Sequence, residues 1–409
     1  MNESFDTDVL IAGGGPAGLA AAIAARHAGL TVMLADPDRP PIDKACGEGI
    51  MPAGIAALRQ LGIELLPGQF SALAGMRFVD AHGAVDAVFP HGRGCGVRRT
   101  TLHQAMVERA EQAGVELLWG SRVSFHPRLR NHNRGWERAS GKEGILLDGR
   151  GVRCRWLIGA DGQNSRLRAQ AGLDGPRGVR RRFGFRCHYA TAPRSEFVEV
   201  HWGEHGQMYV TPVACDQVCV ALLTHGPNKP NTRLLASAGR AGDPILDEAR
   251  AHFPAVAARL EGARRLTRMR GSLTVTRSLP LVWRENLALI GEASGSVDAI
   301  TGEGLTMAFQ QALALAAALA AGDLRLYQAA HRRIMRRPNF MNRLLLNMDR
   351  HASLRQRVLR AFCAEPGLFA RMLAIHVGES SCLGVRGTVS LGWRLLGLSR
   401  QAQIEALPR

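Results

Sequence analysis

Gly13-Gly14-Gly15-Pro16-Ala17-Gly18 is the stretch on which the reading of this chain turns. It satisfies G-x-G-x-x-G directly after a short apolar run, Asp8-Val9-Leu10-Ile11-Ala12, and it opens an Ala-rich segment, Pro16 to His27, of helical character. A second apolar run, Leu30 to Ala35, follows Gly29. Strand, helix and parallel strand form a βαβ unit. In its first turn Gly13 permits the tight bend, Gly15 lets the backbone approach a pyrophosphate, and Gly18 allows the helix to pack closely on the strand. Pro16 and Ala17 begin the helix, whose unpaired amides and positive dipole end suit phosphates. Asp36 closes the second strand, 18 residues after Gly18, where a carboxylate can accept hydrogen bonds from a ribose diol.

Two more glycine-rich segments lie downstream. Gly159-Ala160-Asp161-Gly162-Gln163-Asn164-Ser165-Arg166-Leu167-Arg168 follows the apolar run Trp156 to Ile158. Gly291-Glu292-Ala293-Ser294-Gly295 follows Leu287 to Ile290 and continues to Gly302-Glu303-Gly304-Leu305. Taken in order, the three segments resemble the para-hydroxybenzoate hydroxylase-like flavoproteins, a superfamily of aromatic hydroxylases, geranylgeranyl reductases and flavin-dependent halogenases. The second is similar to their GADG-x-x-S-x-x-R and the third to their GDA-x-G … P-x-x-G-x-G, with Glu292 in place of Asp and Ala299 in place of Pro. The likeness covers residues 8 to about 325.

The resemblance implies FAD as the cofactor and an α/β fold. A Rossmann-like FAD-binding domain of glutathione reductase type would carry an inserted, mostly antiparallel substrate sheet and a C-terminal helical region. The FAD-binding domain is expected from residues 1–75, 95–180 and 285–330, the substrate domain from 76–94 and 181–284, and a helical cap from 331–409. Strand-like alternation at Arg182 to Thr191, Phe197 to Trp202, Gln207 to Val213 and Val218 to Thr224 supplies the sheet. The polar stretch Asn131 to Glu143 reads as an exposed hairpin loop. The resemblance further places Asp161 and Gly162 near the FAD ribose and pyrophosphate, and Glu292 on the ribityl chain. Gly302 and Gly304 would lie at a helix start facing the flavin pyrimidine, Arg99 against the cofactor, and Val123 beside adenine. Arg99 also reads as a solvated residue at a helix start.

For the reaction the signals divide. Lys44-Ala45-Cys46-Gly47-Glu48-Gly49 looks like the loop that passes the isoalloxazine in geranylgeranyl reductases and halogenases, so Cys46 faces flavin or substrate, or is a small buried thiol. Tyr209, within Gln207-Met208-Tyr209-Val210-Thr211-Pro212, orients a substrate over the flavin or packs in the core. Gln207 occupies a position where halogenases carry Trp, which argues against halogenation. The favoured expectation is a monooxygenase that hydroxylates an aromatic or polyketide-type hydrophobic molecule through a flavin C4a-hydroperoxide. With no second G-x-G-x-x-G, NAD(P)H would bind transiently as reductant. Gly302-Glu303-Gly304 is closer to the reductases, so reduction of an isoprenoid C=C bond is the alternative, and a non-catalytic flavin-binding protein comes third.

Composition sets outer bounds. The 409 residues, 46% hydrophobic and 21% charged, suit a folded protein with a large core. The formal charge of +17 comes almost wholly from Arg, since only Lys44, Lys142 and Lys229 among the 52 basic residues are Lys. No zinc-finger, RNA-binding or helix-turn-helix pattern accompanies the charge, so nucleic acid is not expected as a partner. Eight scattered cysteines without C-x-x-C spacing point to a reduced, metal-free, cytoplasmic protein. The acidic start, Met1 to Asp8, lacks the pattern of an export signal. Leu305 to Ala321 is apolar enough to resemble a membrane span, but Gln310 and Gln311 interrupt it, and a buried helix is the reading. Residues 331 to 360 hold nine Arg against one acid, Asp349. This tail is expected to cap the FAD domain, with shelter of a hydrophobic substrate or contact to a membrane surface as the alternatives.

Overall fold

The strand Thr7–Ala12 is apolar from Val9 to Ala12 because it lies in the middle of a parallel sheet whose two faces are both covered. The computed structural model describes residues 5–81, 83–126, 144–175, 182–224 and 243–379. Asn131 to Glu143 lies outside them, as do residues 380–409 of the expected cap. Thr7–Ala12 pairs in parallel with Val32–Asp36 on one side and Cys154–Gly159 on the other. Glu116–Trp119 and Leu287–Leu289 extend the two flanks, and Trp283–Arg284 adds an antiparallel edge. All three glycine-rich segments therefore leave the same end of three neighbouring strands.

One face of this sheet is covered by the helices Pro16–His27, Arg99–Gln112 and Gly304–Ala321. Their small Ala side chains permit the close approach of Pro16–His27 to Gly304–Ala321. Gly304–Ala321 is long and apolar enough to cross a membrane, yet 56% of it is buried inside the protein. Gln311 belongs to this packing: its side chain is 1% exposed and its Oε1 accepts the Gly291 amide at 2.8 Å. The other face meets a small antiparallel sheet of Val123–His126, Gly144–Leu147 and Arg150–Gly151.

A second sheet, eight-stranded, is built mainly from Arg182–Ala190, Phe197–Trp202, Gly206–Ala214 and Gln217–Thr224 in antiparallel register. Gly75–Asp80 joins its edge in parallel to Phe197–Trp202 and is followed by Gly83–Val88. Pro244–His252 and Pro254–Leu260 cover one face through Ile245, Phe253 and Leu260.

The C-terminal helices depart from the expectation that they pack on the FAD-binding domain. Leu324–Arg350 starts there, with Leu324 and Tyr327 in its core. It then crosses to the second sheet, where Met341 and Leu345 join Phe362, Phe369 and Leu373 of Ala352–Ala364 and Pro366–Val377. The reason is the apolar row Met76, Phe78, Val200 and Trp202, which needs a cover.

Candidate active site

The first glycine segment divides into residues the protein itself requires and residues it leaves open. A Cβ on Gly13, whose φ is +119°, would stand 2.4 Å from the Ala160 carbonyl oxygen, and one on Gly18 would stand 1.8 Å from that of Gly13. Gly13 thus packs against the second segment and Gly18 closes the turn. At Gly15, Gly162 and Gly304 no atom of the described residues beyond the chain neighbours comes within 4 Å of the Cβ position, and at Gly302 the nearest such atom is Met51 Cε at 3.7 Å. Pro16 and Ala17 form the first helical turn beyond Gly15. These open backbone positions at strand ends and helix starts fit the pyrophosphate and flavin of FAD.

Asp36 lies against the same turn, its Oδ2 accepting the Gly14 amide at 2.6 Å. Its carbonyl accepts the amides of Gly120 and Ser121, which brings the start of the strand at Val123 to that side. His103, fully buried, donates from Nε2 to the Gly14 carbonyl at 2.9 Å, and desolvation lowers its pKa so that the ring is neutral. No motif marked His103; on a helix it reads as one more inward residue.

In the second segment Asp161 has two tasks. Its Oδ2 accepts the Arg166 and Leu167 amides at 2.8 and 3.2 Å, which caps Arg166–Gln170. Its Oδ1 is buried and has no hydrogen-bond partner among the described residues, as suits a contact to bound cofactor. Arg168 is 1% exposed and holds the segments together, bonding Asp174 at 2.7 Å, the Gln163 carbonyl at 2.9 Å and the Ala293 carbonyl at 3.2 Å. The third segment is held from behind, with Ser294 Oγ bonded to the Gly291 carbonyl at 2.8 Å and His331 Nε2 3.0 Å from Ser294 Oγ. Burial pushes His331 down to about 4, so it is uncharged at neutral pH.

Glu292 is exposed to solvent at the start of the third segment. Desolvation raises its pKa, opposed by the charges of Lys44 and Arg99. Lys44 and Arg99 supply the positive charge near it, and Arg99 Nε is buried without a partner among the described residues. Arg99 as a whole is half-buried. The glycine loops, Arg99 and Glu292 together have the donor set that FAD requires: amides for phosphate, an acid for hydroxyls and a cation beside them.

The loop with Cys46 is pinned from below by a buried network. Glu48, 1% exposed and at φ +60°, accepts the Arg99 amide at 2.9 Å through Oε1, and its Oε2 lies 2.6 Å from His188 Nε2. Arg186 bonds Asp43 and the Lys44 carbonyl. Cys46 Sγ accepts the Glu48 amide at 3.3 Å, and burial pushes its thiol pKa up, opposed by Arg99, so it stays protonated. The side-chain oxygen, nitrogen and sulfur of Glu48, His188 and Cys219 lie within 4.8 Å of one another, although the three residues are far apart in sequence and share no motif. Arg186 Nε stands 3.7 Å from Glu48 and supplies the positive charge there, so we read the cluster as a hydrogen-bonded support rather than a metal centre.

Tyr209 stands on the other side of the third segment. Its hydroxyl donates to the Ile300 carbonyl at 3.2 Å, and burial pushes its pKa far up. It lines a narrow apolar cavity of about 20 Å³ between the second sheet and the cap, walled by Phe78, Trp202, Ile300, Met341 and Phe369 among others. Ile300 immediately precedes the turn to Gly302. Gln207, by contrast, lies fully buried away from this cavity's lining, bonded to Arg182 at 2.6 Å and to Asp349. Arg182 also bonds Asp298 at 2.7 Å, and Asp298 Oδ1 accepts the Ile300 amide at 3.0 Å. The cap grips the far end of the same turn: Arg337 bonds Glu303 at 2.8 Å, and His376 Nε2 donates to the Thr301 carbonyl at 3.0 Å. One oddity of sequence marked these contacts, the lone acid Asp349 in an Arg-rich stretch.

Known proteins share these features over parts of the chain. A menaquinone reductase of Mycobacterium tuberculosis is 33% identical over 176 residues, 42% of this chain and 41% of that protein. The match thus spans less than half of that relative. A putative 2-heptyl-3-hydroxy-4(1H)-quinolone synthase of Rhodococcus erythropolis is 31% identical over 268 residues, 60% of this chain and 62% of that protein. The crystal structure of a flavoprotein/dehydrogenase from Cytophaga hutchinsonii has the same fold, with a TM-score of 0.73 over 96% of this chain and 99% of that one at 17% identity. A family profile described as "FAD binding domain" matches residues 6–325, which hold all three glycine segments, Arg99 and Glu292; the chain belongs to that family, and FAD is its cofactor.

Proposed function

We propose that this protein is an FAD-dependent monooxygenase of the cytoplasm that hydroxylates a hydrophobic ring-bearing small molecule, with NAD(P)H as transient reductant. The observation that carries this reading is the position of the apolar cavity, which shares Ile300 with the turn leading to Gly302 and Gly304. The quinolone synthase relative is named for a product with a ring hydroxyl, which supports the same reading.

Bound FAD supplies the two-electron and oxygen chemistry. The chain's residues bind, orient and exclude. The Gly15 turn and the start of Pro16–His27 receive the pyrophosphate, and Glu292 accepts a hydroxyl of the ribityl chain. Amides at the start of Gly304–Ala321 favour negative charge on the ring. Phe78, Trp202, Met341 and Phe369 keep water from the substrate side. Tyr209 keeps its proton and turns it to the Ile300 carbonyl, which leaves the ring face of Tyr209 as a platform.

Turnover under isotopically labelled dioxygen tests the proposal: one labelled oxygen atom is expected in the product. Gly302-Glu303-Gly304 and the likeness to a menaquinone reductase favour a second reading, reduction of a C=C bond in an isoprenoid substrate. A product that gains hydrogen alone, with the same rate in the absence of dioxygen, would replace the first reading by the second.

A further inference from the structure

The helix Leu324–Arg350 has two faces of opposite chemistry. Inward, Met341 and Leu345 wall the apolar cavity. Outward, Arg332, Arg336, Arg343 and Arg350 recur at intervals of four, seven and seven residues, which sets them on one stripe. Phe340 stands on that stripe, 58% exposed. Arg360 continues the exposed basic surface on the next helix.

Arg-rich composition alone does not explain this surface. The exposed residues of Arg99–Gln112 include Glu108 and Glu111, and Pro244–His252 sets Asp247 against Arg250. From Leu324 to Ala364 the sequence has one acid, Asp349, and it is buried beneath Arg182. Arg336, Arg343, Arg350 and Arg360 make no ion pair among the described residues, although the chain has acids to pair with Arg elsewhere. A one-sign stripe with a bare aromatic ring in its middle is not what a solvated helix face selects.

We infer that this face docks on the surface of an anionic lipid bilayer. Guanidinium groups hold anionic headgroups, and Phe340 enters the headgroup boundary. Docking there sets the cavity wall formed by Met341 and Leu345 one helix thickness from the bilayer, the source of a lipid-soluble substrate. The choice of a bilayer rests on the hydrophobic substrate proposed above. A duplex nucleic acid offers the same charge but no medium for Phe340.

Flotation of the full-length holoprotein with vesicles tests this. At moderate ionic strength it is expected to float with vesicles of equal parts phosphatidylglycerol and phosphatidylcholine, and to stay behind with phosphatidylcholine alone. The triple variant Arg336→Gln, Arg343→Gln, Arg350→Gln is expected to lose more than tenfold in vesicle affinity, at about fivefold per arginine near such a surface. Phe340→Ser is expected to weaken binding in a way that high salt does not mimic. FAD content and thermal unfolding, unchanged in these exposed variants, confirm that they fold. Failure to float with anionic vesicles, equal flotation of the triple variant, or equally tight binding of a duplex DNA would each overturn the inference. The assay needs no turnover: a protein that floats but inserts no oxygen overturns only the monooxygenase reading, and one that inserts oxygen but does not float overturns only the docking.

Discussion

The two sheets of this protein solve binding in opposite ways. At the parallel sheet the backbone does the contacting: Gly15, Gly162 and Gly304 present bare amides, and the side chains that matter, His103, Arg168 and Gln311, point back to hold the loops. At the antiparallel sheet the side chains do it, as an apolar cavity on one level and buried charges beneath. Arg182, between Asp298 and Asp349, ties sheet, turn and cap into one unit. A loop of glycines is cheap to specify and serves any dinucleotide, whereas a side-chain cavity has to be shaped for one substrate. The difference explains why the cofactor is plain and the substrate is not.

The largest test breaks the second region. Arg182→Met leaves Asp298 and Asp349 buried without their shared cation, and a loss of about 4 kcal/mol in unfolding free energy is expected by chemical denaturation. Loss of less than about 1 kcal/mol would mean that the ionic unit does not hold the cap. In the glycine region the pair Gly18→Ala and Gly15→Ala sharpens the contrast. Gly18→Ala is expected to cost about 3 kcal/mol in stability, because its Cβ would meet the Gly13 carbonyl. Gly15→Ala is expected to leave the stability of the apoprotein unchanged while FAD affinity falls at least tenfold, read by flavin fluorescence. Equal destabilisation by both would show that Gly15 also serves the fold.

His331 gives a pH test of intermediate size. Its folded pKa of about 4 lies below that of an unfolded histidine, so the unfolded chain binds the extra proton. The stabilising contribution is present at neutral pH and is lost as pH falls from about 6.5 towards 4, amounting to about 2 kcal/mol at pH 5. His331→Asn is expected to flatten that part of the stability profile; an unchanged slope would assign the effect to other groups. The smallest effect is expected at Glu292. Its replacement by Ala removes one hydroxyl acceptor and lowers FAD affinity by about fivefold to tenfold without altering the apoprotein's melting temperature.

Most of the first region was legible before any coordinates. Gly13 and Gly15 lie in a turn between a strand and a helix, with Gly18 in the first turn of that helix, and the four substrate strands fall within a residue or two of their expected ends. Arg99, Cys46 and Tyr209 are all half-buried, and desolvation raises the pKa of the Cys46 thiol and the Tyr209 hydroxyl. The direction in which the cap packs was misread, because the amphipathic pattern of Leu324–Arg350 shows that it has an inner face but not which sheet that face meets.

By itself, then, the amino-acid sequence determined the dinucleotide-binding unit, the order of its three glycine segments and the cofactor. These depend on backbone conformation, and a glycine at a fixed spacing from a strand constrains the backbone locally. Only the tertiary structure decided the supports and the cavity. Glu48 meets His188 across 140 residues, Arg182 meets Asp298 across 116 and Gln207 meets Asp349 across 142. Such contacts leave no periodic trace, because a buried charge is stabilised by whichever partner the folded chain brings to it, however far away that partner lies in sequence.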